Sequence, residues 1–259
     1  NFEWLIVDDG STDYTEAIVE SFDPLGDFPI RYIKKENGGK HTAYNIGLNE
    51  ARGSLFFNVD SDDWLDPNSL YTIITQSKKV MSDSKCGGII ALKNFADQTV
   101  IGNEFRKDNI LMTFRELELS GQRGERSIIF KTSIAQKFKF PIINGERFMP
   151  EGVVYDEFTD FSFLIVNKAL TICEFLPEGL SSEPKRLMVQ NPGGYMLYYS
   201  RRIDLAANYK ERIGYVLRYN FFSAIYSGDP VQYYNGKHKL LVTLMRPFNF
   251  LVAKHYKQI

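Results

Sequence analysis

The strongest constraint on the fold is an order repeated near the start of the chain: a short strand-like run, a loop of turn residues, then a stretch with helical periodicity. Residues 4–7, 30–34 and 55–59 read as strands, the first and last of them apolar and too short for helices. Residues 14–22 and 41–51 have helical spacing, the second closed by Gly53. Asp66-Pro67-Asn68 opens a further helix over residues 69–82. Strands alternating with helices predict an α/β fold with a doubly wound, mostly parallel sheet flanked by helices. In such sheets ligands bind beyond the carboxyl ends of the strands. Asp8 and Asp9 fall at one such end and Asp60-Ser61-Asp62-Asp63 at another.

The rest of the chain is less regular. Residues 87–92, 127–131 and 170–176 read as strands, 99–118 as a loop entering a short helix, 145–155 as a loop and 156–169 as a helix. Residues 195–226 are helical again, and 239–256 form an apolar helix pair broken at Pro247. A formal net charge of -1 excludes a general binder of nucleic acid. No run of about 18 apolar residues is present, so no transmembrane span is expected. Cys86 and Cys173 have neither metal nor disulfide spacing and read as buried thiols in a reducing compartment.

Each motif has two readings on its own residues. Carboxylates crowded at a strand end, as in Asp60-Ser61-Asp62-Asp63, repel one another unless a cation joins them. Mg²⁺ or Mn²⁺ would take such oxygens together with substrate phosphates, whereas the same residues could simply cap a helix. Asp8-Asp9-Gly10-Ser11 either hydrogen-bonds a base or ribose or closes an Asx turn. Asn37-Gly38-Gly39-Lys40-His41 offers backbone N–H groups to an anion at a helix start, or leaves Lys40 and His41 as exposed side chains. It lacks the Gly-Lys-Ser/Thr ending of a P-loop.

Together these stretches resemble the family 2 glycosyltransferases of the GT-A fold. The match runs through Leu5-Ile6-Val7-Asp8-Asp9-Gly10-Ser11-Thr12-Asp13, then Glu36-Asn37-Gly38-Gly39-Lys40-His41-Thr42-Ala43-Tyr44-Asn45-Ile46-Gly47-Leu48, then Phe57-Asn58-Val59-Asp60-Ser61-Asp62-Asp63-Trp64-Leu65. The resemblance implies a GT-A-like catalytic domain over residues 1–185 and a helical C-terminal extension over 186–259. It implies that Asp9 contacts the nucleotide base with Asp8 beside it, and that Lys40 lies near the donor. Asp60 and Asp62 match the DXD element, Asp62 binding Mn²⁺ or Mg²⁺ and Asp60 facing the ribose or the metal. The implied reaction is inverting transfer of a sugar from a nucleotide-diphosphate donor, a UDP-sugar first, to a hydroxyl of a glycan or glycolipid in bacterial polysaccharide synthesis.

Such a transfer needs a general base. Pro150-Glu151-Gly152-Val153-Val154-Tyr155-Asp156-Glu157 resembles the family's acidic pair in reversed order, so Asp156 and Glu157 both stand as candidates. An acidic first turn of a helix is the plainer alternative. Gln190-Asn191-Pro192-Gly193-Gly194-Tyr195 resembles a flexible loop, with Arg201 and Arg202 meeting donor phosphates on closure or lying on a solvated helix face.

Relatives carry a strand and a helix before the Leu5–Asp9 stretch, so upstream sequence is expected to be missing here. Without that inner strand, either another segment or a second copy covers the gap, making a homodimer worth testing, or donor binding is weakened. This keeps open a nucleotide-sugar-binding module without turnover, and a nucleotidyltransferase with a similar sheet. Residues 239–257 mix apolar and basic side chains. They read either as a surface helix on an anionic membrane or as a face packed on the domain. A cytoplasmic protein at the inner face of a membrane is the expected location.

Overall fold

The computed structural model of the protein describes residues 2–22, 28–174, 183–228 and 234–256. Strand β1 (Trp4–Asp8) runs through helix α1 (Thr15–Ser21) to β2 (Ile30–Lys34), its parallel partner in a two-stranded sheet. Helix α2 (Lys40–Glu50) leads to β3 (Leu55–Phe57), the acidic turn and β4 (Asp63–Leu65). Then come α3 (Ser69–Ser82), β5 (Cys86–Phe95), β6 (Leu111–Met112), α4 (Phe114–Leu119) and β7 (Arg126–Lys131). Two single-turn helices, α5 (Thr132–Ala135) and α6 (Gly152–Tyr155), precede β8 (Ser162–Cys173).

The larger sheet has the order β3-β7-β5-β8-β4, with β6 also on β8. Its longest pairing, β5 with β8, is parallel; β3–β7, β5–β7, β4–β8 and β6–β8 are antiparallel. The α/β class with flanking helices is as expected, and the pairing within it is mixed. Alternation along the central strands divides the core. Ile90, Leu92, Phe163 and Ile165 face a cluster with Tyr44, Leu48, Phe130 and Phe158, whereas Ile89, Ala91, Leu164 and Val166 face Ile73 and Val80 of α3. Cys86 and Cys173 are free and buried.

Among the described residues, β1 pairs only with β2 and β3 only with β7, so each keeps an unpaired edge. What holds these two strands in common is α2. A Cβ added at Gly47 would lie 3.6 Å from Val7 and 3.8 Å from Phe56, which brings one residue of each strand onto the same spot of the helix.

Two expectations are corrected. Residues 162–169 are strand, not helix: Phe163, Leu164, Ile165 and Val166 are all buried because β8 is covered on both faces, and a strand so covered reads as an unbroken apolar run. Residues 192–195 begin a helix rather than a flexible loop. β4 follows the acidic turn at once and had no signal of its own. The expected strand end at residues 175–176 lies outside the described residues.

The remaining elements are helical: α7 (Pro184–Gln190), α8 (Pro192–Leu205), α9 (Tyr209–Ile225), α10 (Lys239–Met245), a 3₁₀ turn (Arg246–Asn249) and α11 (Phe250–Tyr256). The expected boundary after residue 185 falls within α7. These helices bury a separate cluster of Met196, Tyr199, Ile203, Phe222, Val242 and Tyr256 among others, and Tyr198 and Tyr226 touch both this cluster and the sheet core. No described helix is long and apolar enough to cross a membrane.

Candidate donor and catalytic site

Because β1 and β2 are parallel neighbours, the loops leaving their carboxyl ends lie side by side. The Asp9 carboxylate accepts hydrogen bonds from the N–H groups of Gly38 (2.9 Å) and Gly39 (2.7 Å) and from the Lys35 ammonium (2.5 Å). The glycine turn therefore does face an anion, and that anion is Asp9. Burial pushes the Asp9 pKa up, but these donors outweigh it and hold it below the ordinary carboxylate range. Asp8 is buried and accepts from the Ser11 N–H (2.7 Å) and the Tyr32 hydroxyl (2.5 Å). Its pKa is lowered in the same way against burial. The expected base-contacting pair thus builds the floor of the turn.

Gly39 is required there. Its φ of 93° is in the region that favours glycine, and a Cβ would stand 1.9 Å from the Arg147 carbonyl oxygen. Gly39→Ala is expected to cost about 2–4 kcal/mol through backbone strain and displacement of the Arg147 loop. Urea denaturation would measure it, and a loss below about 1 kcal/mol would mean that the contact is not tight.

Lys40, the first residue of α2, donates to Asp60 (2.8 Å) and to Glu151 (3.2 Å). Burial opposes its charge, but the two carboxylates prevail and raise its pKa. The Tyr155 hydroxyl donates to the other oxygen of Glu151 (3.1 Å), and burial keeps that phenol protonated. His41, the next residue, is buried with no hydrogen-bond partner on either ring nitrogen among the described residues, and burial lowers its pKa. The acidic turn is closed by the Asp63 N–H on the Asp60 carbonyl (3.1 Å). Asp63 itself turns away to pair with Lys93 (2.8 Å). Burial and a hydrogen bond to Asp63 push the nearby Cys173 thiol up to about 12. Asp62 is exposed on the turn, engaged by no hydrogen bond or ion pair among the described residues.

The second acidic pair is held by α8. Asp156 is paired with Arg202 Nε at 2.5 Å, and Arg202 also grips both oxygens of Glu118 (2.6 and 2.7 Å). Burial raises the Asp156 pKa against the pull of Arg202. Glu157 is more exposed and pairs with Arg201 at 2.5 Å, while Arg201 also donates to the Val153 carbonyl. Arg201 and Arg202, expected at the donor phosphates, are engaged with these carboxylates, and Arg202 is buried along with the Asp156 side chain. The start of α8 is fixed too: Glu146 accepts the N–H groups of Gly193 (2.6 Å) and Gly194 (2.8 Å), and Asn191 those of Arg147 and Phe148 (3.0 Å each).

The profile of glycosyl transferase family 2 matches residues 1–137, which is more than half of the chain. The chain belongs to the family 2 glycosyltransferases. Its family relatives include glycosyltransferase GlyA of Streptococcus pneumoniae serotype 4, with 37% identity over 87 residues, covering 34% of this chain and 12% of GlyA. The minor teichoic acid biosynthesis protein GgaA of Bacillus subtilis (strain 168) is 40% identical over 75 residues, 28% of this chain and 17% of GgaA. The chain thus matches only a small part of the length of these relatives. Among solved structures, S. aureus TarS 1-349 has a similar fold, with a TM-score of 0.54 at 17% identity, covering 85% of this chain and 71% of that one. A second structure of the same TarS segment, in complex with UDP-GlcNAc, aligns at a TM-score of 0.53 and 17% identity over 86% of this chain and 72% of that one.

The turn presents two neighbouring carboxylates, Asp60 and Asp62, that could hold a divalent ion. Among the described residues no three His, Cys, Asp or Glu side chains form a metal cluster. An ion such as Mg²⁺ needs only one or two protein carboxylates when substrate phosphates supply the rest, and Asp62, disengaged among the described residues, could be one of them. Glu151 was missed from the sequence as a site residue. Its signal was the Pro-Glu-Gly stretch, but its partner Lys40 lies 111 residues away.

Proposed function

We propose that this protein is a metal-dependent, inverting glycosyltransferase that moves a sugar from a nucleotide-diphosphate donor, a UDP-sugar first, to a hydroxyl of a glycan or lipid-linked acceptor. The observation that carries this is the turn at the end of β3, where Asp62 is unengaged among the described residues and Asp60 is tied through Lys40 to Glu151, in a chain of this family. Asp62 and Asp60 would hold the Mn²⁺ or Mg²⁺, which when bound neutralises charge on the departing diphosphate. Lys40 keeps its positive charge at the same spot and steadies the turn. Glu157 is the better base of the acidic pair, because it is partly exposed, whereas Asp156 is buried in its pair with Arg202. A carboxylate there takes the acceptor proton as the hydroxyl attacks the anomeric carbon, so no covalent enzyme intermediate is needed. UDP-GlcNAc bound to TarS, and the teichoic acid role in the name of GgaA, support a UDP-sugar and a cell-surface glycan. A lipid-linked acceptor would require work at the inner face of a membrane.

Calorimetric titration of UDP and GDP, with and without Mn²⁺, tests the donor site. UDP is expected to bind only with metal, and Asp62→Ala to weaken that binding at least tenfold. Binding that ignores both metal and Asp62 would sink the metal assignment. The edges of β1 and β3 left unpaired among the described residues favour a second reading, a module that holds a nucleotide sugar without turnover. Transfer of sugar from a UDP-sugar to an acceptor by this chain would count against it.

A further inference from the structure

We propose that the outer face of the last helices is a docking surface for an anionic lipid bilayer, with the basic groove beside it receiving a lipid phosphate. Leu240, Leu244, Phe248 and Leu251 are spaced four, four and three residues apart, the repeat of one helical face. They are 73%, 63%, 45% and 56% exposed, and Phe250 beside them 59%. The opposite face is already used: Leu241, Val242, Met245, Val252 and Tyr256 pack on the helical core. The outward apolar side chains are thus not needed to hold these helices to the domain.

Charge names the occupant. From residue 230 to residue 259 there are five Lys or Arg and no Asp or Glu, in a chain whose net charge is -1. Lys237, Lys239, Arg246 and Lys254 are all exposed. Lys239, Thr243 and Arg246 lie along the stripe next to the apolar one and, with Tyr234 and Asn235, line a groove of about 630 Å³. Apolar side chains flanked by cations of one sign fit a surface that is greasy inside and negative at its rim. A protein interface would be depleted of charge at its core and would carry both signs at its rim. No described helix is long and apolar enough to cross, so these helices lie in the plane of the headgroups.

The test is flotation of the whole chain with vesicles of phosphatidylcholine alone or mixed with phosphatidylglycerol, at low and high salt. The protein is expected to float with the mixed vesicles only, and less so at high salt. Leu244→Glu with Phe248→Glu, and separately Lys239→Glu with Arg246→Glu, should each reduce binding by roughly tenfold or more. Unchanged melting temperature and UDP titration in both double variants show that they fold, and they separate this surface from the donor site. Three outcomes overturn the proposal: no flotation with anionic vesicles, flotation that survives both double variants, or a dimer dispersed by the Leu244 and Phe248 changes without any vesicle binding. Inorganic phosphate bound at Lys239 and Arg246 in a protein that ignores vesicles would equally overturn it, leaving a free-anion site.

Discussion

Glu157→Gln is expected to lower kcat by roughly two to four orders of magnitude with little change in the KM for donor. The amide keeps the shape of the side chain and its hydrogen bond with Arg201, but it cannot take a proton from the acceptor. The structure supplies the controls. Glu151 touches Lys40 and Tyr155, so Glu151→Gln should act mainly on donor KM by loosening the link between α2 and the acidic turn. Asp156→Asn should act on stability, since Asp156 is paired inside the protein. If kcat collapses with Glu151→Gln and survives Glu157→Gln, the base is Glu151 and the assignment made here is wrong.

Arg202→Leu is expected to destabilise the protein by about 3–5 kcal/mol, the usual cost of stripping one partner from a buried ion pair. Arg202 is 11% exposed at its side chain and Asp156 8%, so water cannot replace the lost contact. The same change releases Glu118 and part of the hold of α8 on the Asp156–Glu157 turn. Denaturant unfolding would measure the loss, and Arg202→Leu combined with Asp156→Asn should recover much of it by removing the orphaned charge. A single-variant loss under about 1 kcal/mol, or no recovery in the double variant, would show that the pair contributes little.

The early elements were legible because each carries its own local signal. β1, β3 and α2 follow from apolar runs and turn residues, and α3 begins at Ser69 after Asp66-Pro67-Asn68. β8 was not legible, because a strand covered on both faces loses the alternation that separates strand from helix. In the candidate site, the sequence brings forward loops that the fold sets side by side, but not the partners within them. Nothing local to Asp9 says that Gly38 and Gly39 fold back onto it. Arg201 and Arg202 looked free because Glu118 lies 84 residues from Arg202. Pairings at such separations are a property of the assembled core, not of any window of residues.

The approach of Gly39 to the Arg147 carbonyl joins two stretches that otherwise belong to opposite halves of the reaction. In the proposed reaction the turn carrying Gly39 would build the donor side, and the loop from Glu146 to Glu157 carries the candidate bases. With no room for even a methyl group between them, neither can drift alone. A change of backbone in one must be answered in the other, so the two should vary together across descendants of this chain. Grafting one loop from a relative without its counterpart should yield a chimera that misassembles.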